Sequence, residues 1–131
     1  MTKGDLIEVL KQFQTAVQRL EESLAFDASK NSVYRDASIQ RFEFCFDLCW
    51  KLLKRVLQFK GIEAKNPKDV FHLSFQQGWL TEGDDFWSEM IEDRNLTSHT
   101  YHEPTAVEVY ADLPKYLKAY HRLTEDLQGL I

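Results

Sequence analysis

One short stretch of the sequence, residues 93–102 (DRNLTSHTYH), combines side chains suited to phosphate binding and proton transfer. Arg94 is always charged and can hold a phosphate, whereas His99 can exchange a proton near neutral pH and Tyr101 offers a hydroxyl for contact or modification. His99 is therefore a candidate general acid or base toward a ribose 2′-hydroxyl, with Arg94 stabilising the negative phosphate. This chemistry needs no metal ion or other cofactor.

The spacing of the motif constrains where it lies. Arg94 precedes His99 by five positions, and five residues of α-helix turn through about 500°, so the two side chains share a face only if the helix ends between them. We predict that the motif lies at a helix terminus, where a second copy of the chain across a two-fold axis would complete a pocket. The alternative is that Arg94 pairs with Glu92 or Asp93 beside it and that His99 merely ends a helix.

A zinc site is the metal alternative that the motif allows, because His99 and His102 are three positions apart and Glu103 is adjacent. A di-metal bundle would need Glu-x-x-His pairs on its helices, and the sequence offers only Asp69 three positions before His72. We predict that no metal is bound.

Apolar residues recur every three or four positions, which predicts helices throughout. A short helix is predicted from Pro67, capped by Asn66, to Gly78, and Gly61 is predicted to end the helix before it. Pro114 is expected to kink the last helix or to divide it. The four long helices are predicted at about 4–26, 32–60, 84–98 and 104–128. We therefore predict an all-α, antiparallel up-and-down bundle of four long helices and one short helix.

The composition sets the class of protein. With 131 residues and 44% hydrophobic residues, we expect one globular domain over residues 1–131. No apolar run approaches the ~20 residues that span a bilayer, and no secretory signal begins the chain, so a soluble cytoplasmic protein without a membrane partner is expected. The net charge of −5 confines any nucleic-acid contact to a local site. Cys45 and Cys49 are predicted to be buried, reduced thiols.

The second helix is apolar around much of its circumference between Phe42 and Leu57. A helix of this kind either lies enclosed at the centre of a bundle or shares one face with a second subunit. We favour a homodimer, and complete enclosure is the alternative.

Two acidic residues of this helix, Glu43 and Asp47, are four positions apart and therefore lie on one face. Like charges at this spacing repel, so we expect a cationic neighbour, either Arg94 or Arg41 from another helix or subunit. Arg41 and Glu43 are close enough to flank one pocket. The alternative is that these charges are solvated on an exposed strip.

Residues 35–44 (RDASIQRFEF) and 47–51 (DLCWK), followed by Arg94, Asn95, His99 and Tyr101, resemble the nucleotidyltransferase substrate-binding-protein-like family of the HEPN group. The resemblance covers almost the whole chain. It implies a homodimeric bundle that forms a complex with a minimal nucleotidyltransferase. The HEPN group includes metal-independent ribonucleases whose R-x4-6-H motifs meet across the dimer, and in its toxin branch the partner transferase places AMP on the motif tyrosine, which here is Tyr101.

Two functional hypotheses follow from this resemblance. In the first, the chain is a toxin-type ribonuclease acting on RNA, with tRNA as a candidate, in which Arg94 and His99 are catalytic. In the second, it is a non-enzymatic module that presents a substrate or nucleotide to the transferase. Asn95, Arg41 and Glu43 are predicted binding residues.

Overall fold

The computed structural model describes residues 2–131, and these form five α-helices and one 3-10 helix without any β-strand. Helices α1, α2 and α5 pack against one another, α3 packs on α2 and α4, and α4 also packs on α5. None of the helices in this part of the chain is long and apolar enough to cross a membrane. The all-α bundle is therefore confirmed. Its α-helices are α1 (Lys3–Leu24), α2 (Ser32–Phe59), α3 (Pro67–Gln76), α4 (Asp84–Leu96) and α5 (Glu103–Leu130).

Capping residues set several of these boundaries, among them the predicted Asn66, Gly61 and Gly78. The side chain of Asn31 accepts a hydrogen bond from the backbone of the first turn of α2, and Asn66 does the same for α3, where Pro67 is the first helical residue. Gly61 and Gly78 follow the ends of α2 and α3 with φ of 81° and 84°. Because this left-handed region strains any residue with a Cβ, glycine suits both helix ends.

Helix α5 runs without interruption through Pro114, so the prediction of two shorter pieces is wrong. Proline removes one backbone hydrogen bond from a helix interior. Here Pro114 is exposed, while Leu113 and Tyr116 on either side of it are completely buried. The packing of these neighbours holds both halves of the helix on the core, which offsets the missing hydrogen bond.

Helix α2 crosses the middle of the bundle and is mostly enclosed. Its thiols, Cys45 and Cys49, are both free and buried as predicted, and burial raises the pKa of Cys45 to about 12. One face nevertheless remains uncovered, with Val33 61% and Phe44 53% exposed. Enclosure thus accounts for most of the apolar surface of α2 but leaves an apolar face open.

Candidate functional site

Arg94 lies near the end of α4 and reaches across to α2. Its Nε and Nη2 atoms donate to the two carboxylate oxygens of Asp47, each at 3.3 Å. Nη1 lies 3.8 Å from a carboxylate oxygen of Glu43 and donates to the Thr97 hydroxyl at 3.0 Å. That hydroxyl in turn donates to the Arg94 carbonyl at 2.7 Å. Three side chains therefore fix one guanidinium in place.

The cation expected beside Glu43 and Asp47 is thus Arg94 from α4. Arg94 pairs across helices instead of with Glu92 or Asp93, which removes the local-pairing alternative. The Arg94 side chain is only 28% exposed, so its pairing with two acids offsets their like charges in a partly desolvated setting.

Arg41 does not belong to this group. Its Nη1 atom donates to the backbone carbonyl of Arg19 on α1 at 2.6 Å, and its side chain lines a groove between α1 and α2. The expectation that Arg41 and Glu43 flank one pocket is therefore wrong. Two residues of α-helix turn through about 200°, so these two side chains point toward different neighbours.

The motif continues past the end of α4, as its spacing predicts. The α-helix ends at Leu96 and tightens into the 3-10 turn Thr97–His99. Asn95 and His99 are exposed, and Tyr101 is 86% exposed. The rings of His99 and Tyr101 are edge-on, with centroids 6.1 Å apart. A proton-exchanging group and a free phenol are thus neighbours on the surface.

An ion pair between α2 and the start of α5 holds the far end of the motif loop. Arg35 donates to both carboxylate oxygens of Glu103, at 2.5 Å and 3.1 Å, and also contacts Asp36. The hydrogen bonds from Arg35 lower the pKa of Glu103 and raise that of Arg35 itself. Together with Arg94, this pair attaches the motif to α2 at both ends.

A groove of about 510 Å³ lies between α2 and the motif loop. Thr100 is the residue of the motif loop that lines this groove. Asp36 and Glu43 are its acidic lining residues. Its remaining lining is apolar or amide, and Phe44 and Val33 form its most exposed apolar part. Such a surface is better suited to a protein than to a polyanion.

Among residues 2–131, one set of acidic side chains is grouped closely enough to share an ion. It consists of Glu89, Asp93 and Asp112, whose carboxylate oxygens lie within 4.8 Å of one another. The ammonium of Lys115 already pairs with Glu89 and lies 3.3 Å from Asp112. His99 and His102 are not part of this group.

Comparison with known proteins identifies the family. The model of the family "nucleotidyltransferase substrate binding protein like" matches residues 8–129. The chain belongs to this family. A curated relative, the probable ribonuclease HepT of Haemophilus influenzae, is 33% identical over 96 residues. That alignment covers 70% of this chain, and the chain spans 65% of the length of the curated relative.

Solved structures agree with the family assignment. A Thermus thermophilus protein is 38% identical, with a TM-score of 0.80 over 88% of this chain and 98% of its own. A Haemophilus influenzae protein described as the substrate binding domain of a nucleotidyltransferase is 27% identical, with a TM-score of 0.81 over 91% and 98%. A tri-AMPylated HEPN toxin of Shewanella oneidensis, solved with its MNT antitoxin, is 17% identical and shares the fold, with a TM-score of 0.79 over 98% and 99%.

Within this family fold, two anchoring contacts were not predicted from the sequence. The contact of Thr97 could have been found from the sequence. A hydroxyl three positions after an arginine on a helix can hydrogen-bond both the carbonyl and the guanidinium of that arginine. The pair of Arg35 and Glu103 joins positions 68 apart, and no local pattern indicates it.

Proposed function

We propose that this chain is the HEPN partner of a minimal nucleotidyltransferase and acts as a metal-independent endoribonuclease at a site completed by a second copy of the chain. The observation that carries the proposal is Arg94, which Asp47, Glu43 and Thr97 fix near the end of α4, five positions before the exposed His99 of the following 3-10 turn. The sequence similarity to a probable ribonuclease supports it.

The chemistry follows from the two side chains. His99 accepts the proton of a ribose 2′-hydroxyl, whose oxygen attacks the adjacent phosphorus while the bond to the 5′-oxygen breaks. The products are a 2′,3′-cyclic phosphate and a free 5′-hydroxyl, and the departing oxygen takes a proton from a second histidine. Arg94 stabilises the extra negative charge on the phosphoryl oxygens in the transition state.

A second copy of the chain would supply the second histidine that this reaction needs. His102, the other histidine of the motif, is engaged with the Thr105 hydroxyl at 3.1 Å, so His99 is the freer acid–base group. A dimer brings two such histidines, one as base and one as acid. The apolar face around Phe44 adjoins the motif loop through the groove that Thr100 and Glu43 line, and burying it against a second copy would bring the two motifs together.

We further propose that the partner transferase controls this site through Tyr101. The phenol oxygen attacks the α-phosphorus of ATP, pyrophosphate leaves, and the phenol proton is released to solvent. The fold neighbour from Shewanella oneidensis carries AMP in its complex with MNT antitoxin. Because Tyr101 is 86% exposed and lies 6.1 Å from His99, an added AMP would cover the histidine and repel RNA phosphates.

The test is cleavage of tRNA in EDTA by the protein purified without its partner. Wild-type protein should cleave, His99→Ala should lose at least about 100-fold in rate, and His121→Ala should match wild type. His121 is a suitable control because it is an exposed histidine paired with Glu21, on helices α5 and α1. Equal cleavage by wild type and His99→Ala would reject the ribonuclease.

The second candidate is a non-enzymatic module that presents a substrate or nucleotide to the transferase, with Arg94 and Tyr101 as contacts. One observation favours it: the charge of Arg94 is already balanced by Glu43 and Asp47, which weakens its attraction for RNA. In that case wild-type protein does not cleave tRNA, whereas Arg94→Ala weakens nucleotide binding to the complex.

A further inference from the structure

Asp93, the residue directly before Arg94, is a buried carboxyl group at the contact between α4 and α5. Its residue exposure is 5%, and one carboxylate oxygen accepts a hydrogen bond from the Tyr116 hydroxyl at 2.5 Å. Glu89, one turn earlier on α4, and Asp112 on α5 place their carboxylate oxygens within 4.8 Å of those of Asp93. Three acids therefore meet beside the catalytic motif.

The charges of this cluster do not balance if every acid is ionised. Lys115 supplies one positive charge, and it pairs with Glu89 and Asp112. Burial raises the pKa of Tyr116 well above its ordinary value, so its hydroxyl stays a neutral donor. Asp93 is thus the acid without a cation of its own. Burial and the neighbouring Asp112 raise the pKa of Asp93 to about 7.

The groups that face Asp93 are Glu89 from its own helix and Asp112, Lys115 and Tyr116 from α5. The adjacent Arg94 turns instead to α2, where Asp47 and Glu43 hold it. The two neighbouring residues consequently attach one turn of α4 to two different helices. A change in the contacts of Asp93 with α5 therefore acts on the same turn of backbone that carries Arg94.

We propose that Asp93 and Asp112 share one proton and that this link makes Asp93 a positioning residue, because it fixes the turn of α4 that carries Arg94. With the proton, the pair is joined by a hydrogen bond between carboxyl groups. Without it, two carboxylates repel each other and α4 loosens from α5. The consequence for cleavage rests on the proposed ribonuclease function, whereas the shared proton does not.

Thermal unfolding tests the proton. Because the folded chain holds this proton more tightly than the unfolded chain, where the ordinary pKa of Asp is 3.8, the stabilisation is complete at low pH and is lost as the pH rises toward about 7. The melting temperature of wild type should therefore fall about 3 °C more between pH 6 and pH 7.5 than that of Asp93→Asn. The side-chain amide of this variant mimics the neutral acid.

Two further variants complete the comparison. Asp112→Asn should make the pH-dependent fall smaller than in wild type, because it removes the carboxylate that repels ionised Asp93 while Asp93 stays buried. This variant keeps the test available if Asp93→Asn does not fold. Glu92→Gln changes an exposed acid on the same helix and should retain the wild-type fall. A fall that is equal in wild type and in both Asp→Asn variants would overturn the shared proton.

Carbon-13 NMR of Asp-labelled protein gives a direct readout. One side-chain carboxyl signal should titrate near pH 7 in wild type and be missing from Asp93→Asn. Titration of every Asp signal below pH 5 would contradict the proposal.

Cleavage of tRNA in EDTA at pH 6 and pH 8 tests the positioning role. The rate of Asp93→Asn relative to wild type should rise at least about threefold from pH 6 to pH 8, because most wild-type molecules lose the proton over that range. An unchanged ratio with active enzymes would overturn the positioning role. Absence of cleavage by wild type would instead reject the proposed function, while the NMR result would still decide the proton.

Discussion

Arg94 on α4 and Asp47 on α2 form a two-pronged ion pair in which Nε and Nη2 each donate to a different oxygen of one carboxylate at 3.3 Å. This geometry sets both the position and the direction of the guanidinium, because a planar fork bound at two points cannot rotate freely. Glu43 adds a second acid at 3.8 Å. The two acids of α2 therefore fix the motif arginine in one orientation.

A double-mutant cycle measures this pair. Because the side chains are 28% and 40% exposed, we expect a coupling free energy of only about 0.5–1 kcal/mol between Arg94→Ala and Asp47→Ala in urea unfolding. The coupling should shrink in about 1 M salt, since the charges are partly solvated. A cycle between Arg94→Ala and Asp85→Ala, an exposed acid of the first turn of α4, should give no coupling. Equal coupling in both cycles would mean that the pair is not specific.

The Arg35 and Glu103 pair should control the order of the motif loop. Arg35→Ala removes both hydrogen bonds to Glu103, so hydrogen exchange at the His102 amide, which donates to the His99 carbonyl at 3.1 Å, should become at least about threefold faster. Arg19→Ala, which changes an exposed arginine of α1, should leave this amide unaffected.

The same pair predicts a dependence on acid. Because the pairing lowers the pKa of Glu103 below its ordinary 4.5, its stabilisation is present above that pH and is lost as the pH falls through the lowered value. Lowering the pH should therefore accelerate exchange at His102 in wild type but not in Arg35→Ala. Identical pH profiles of the two proteins, after correction for intrinsic exchange, would show that the Arg35 and Glu103 pair does not order the loop.

The sequence was sufficient to predict the helices, because a 3.6-residue period and capping residues are local properties. It also indicated that Glu43 and Asp47 need a cation, since repulsion between like charges follows from their spacing. It did not reveal the true partner of Arg41, a backbone carbonyl of Arg19, because every residue carries a carbonyl and none is marked by its identity.

Two further features depended on tertiary packing. Pro114 was expected to kink or divide α5, and the helix is not divided, because buried neighbours on both sides outweigh one lost hydrogen bond. The grouping of Asp93 with Asp112 depends on how α4 crosses α5, which no helical period specifies.

Tyr101 is the residue that we expect the partner transferase to modify. Incubation with the partner transferase and ATP should add AMP to this tyrosine, because its hydroxyl is on the most exposed aromatic ring of the motif. Mass spectrometry should place the adduct on the peptide containing Tyr101 and find none in Tyr101→Phe. Tyr110→Phe, which changes a partly buried tyrosine of α5, should remain modified. An unmodified wild-type protein in the complex would favour the binding module.

The modification also connects to cleavage. AMPylated wild type should cleave tRNA at least about tenfold more slowly than unmodified protein, whereas Tyr101→Phe should keep its cleavage in the presence of the transferase and ATP. If modified protein cleaves as fast as unmodified protein, the adduct does not cover His99.

The apolar face of α2 yields the last prediction. It distinguishes a composite site, formed by residues of two chains, from a site that lies within one chain. Fully burying a phenylalanine is worth about 1.5–3 kcal/mol, so burying the 53% of Phe44 that one chain leaves exposed is worth about half of that, and a two-fold interface buries it twice. Glutamate at this position would also place two like charges in the interface. Phe44→Glu should therefore weaken dimerisation more than about 100-fold, so that light scattering gives one chain of 15.4 kDa where wild type gives two.

Phe75→Glu serves as the matched control, since Phe75 is 40% exposed but lies on α3. It should remain dimeric. Because Phe44 contributes no acid, base or phosphate contact, a composite site further requires that Phe44→Glu lose tRNA cleavage along with the dimer, while Phe75→Glu keeps both. A Phe44→Glu monomer that cleaves at the wild-type rate would show that one chain holds a complete site, and a wild-type protein that is monomeric at tens of micromolar would reject the interface itself.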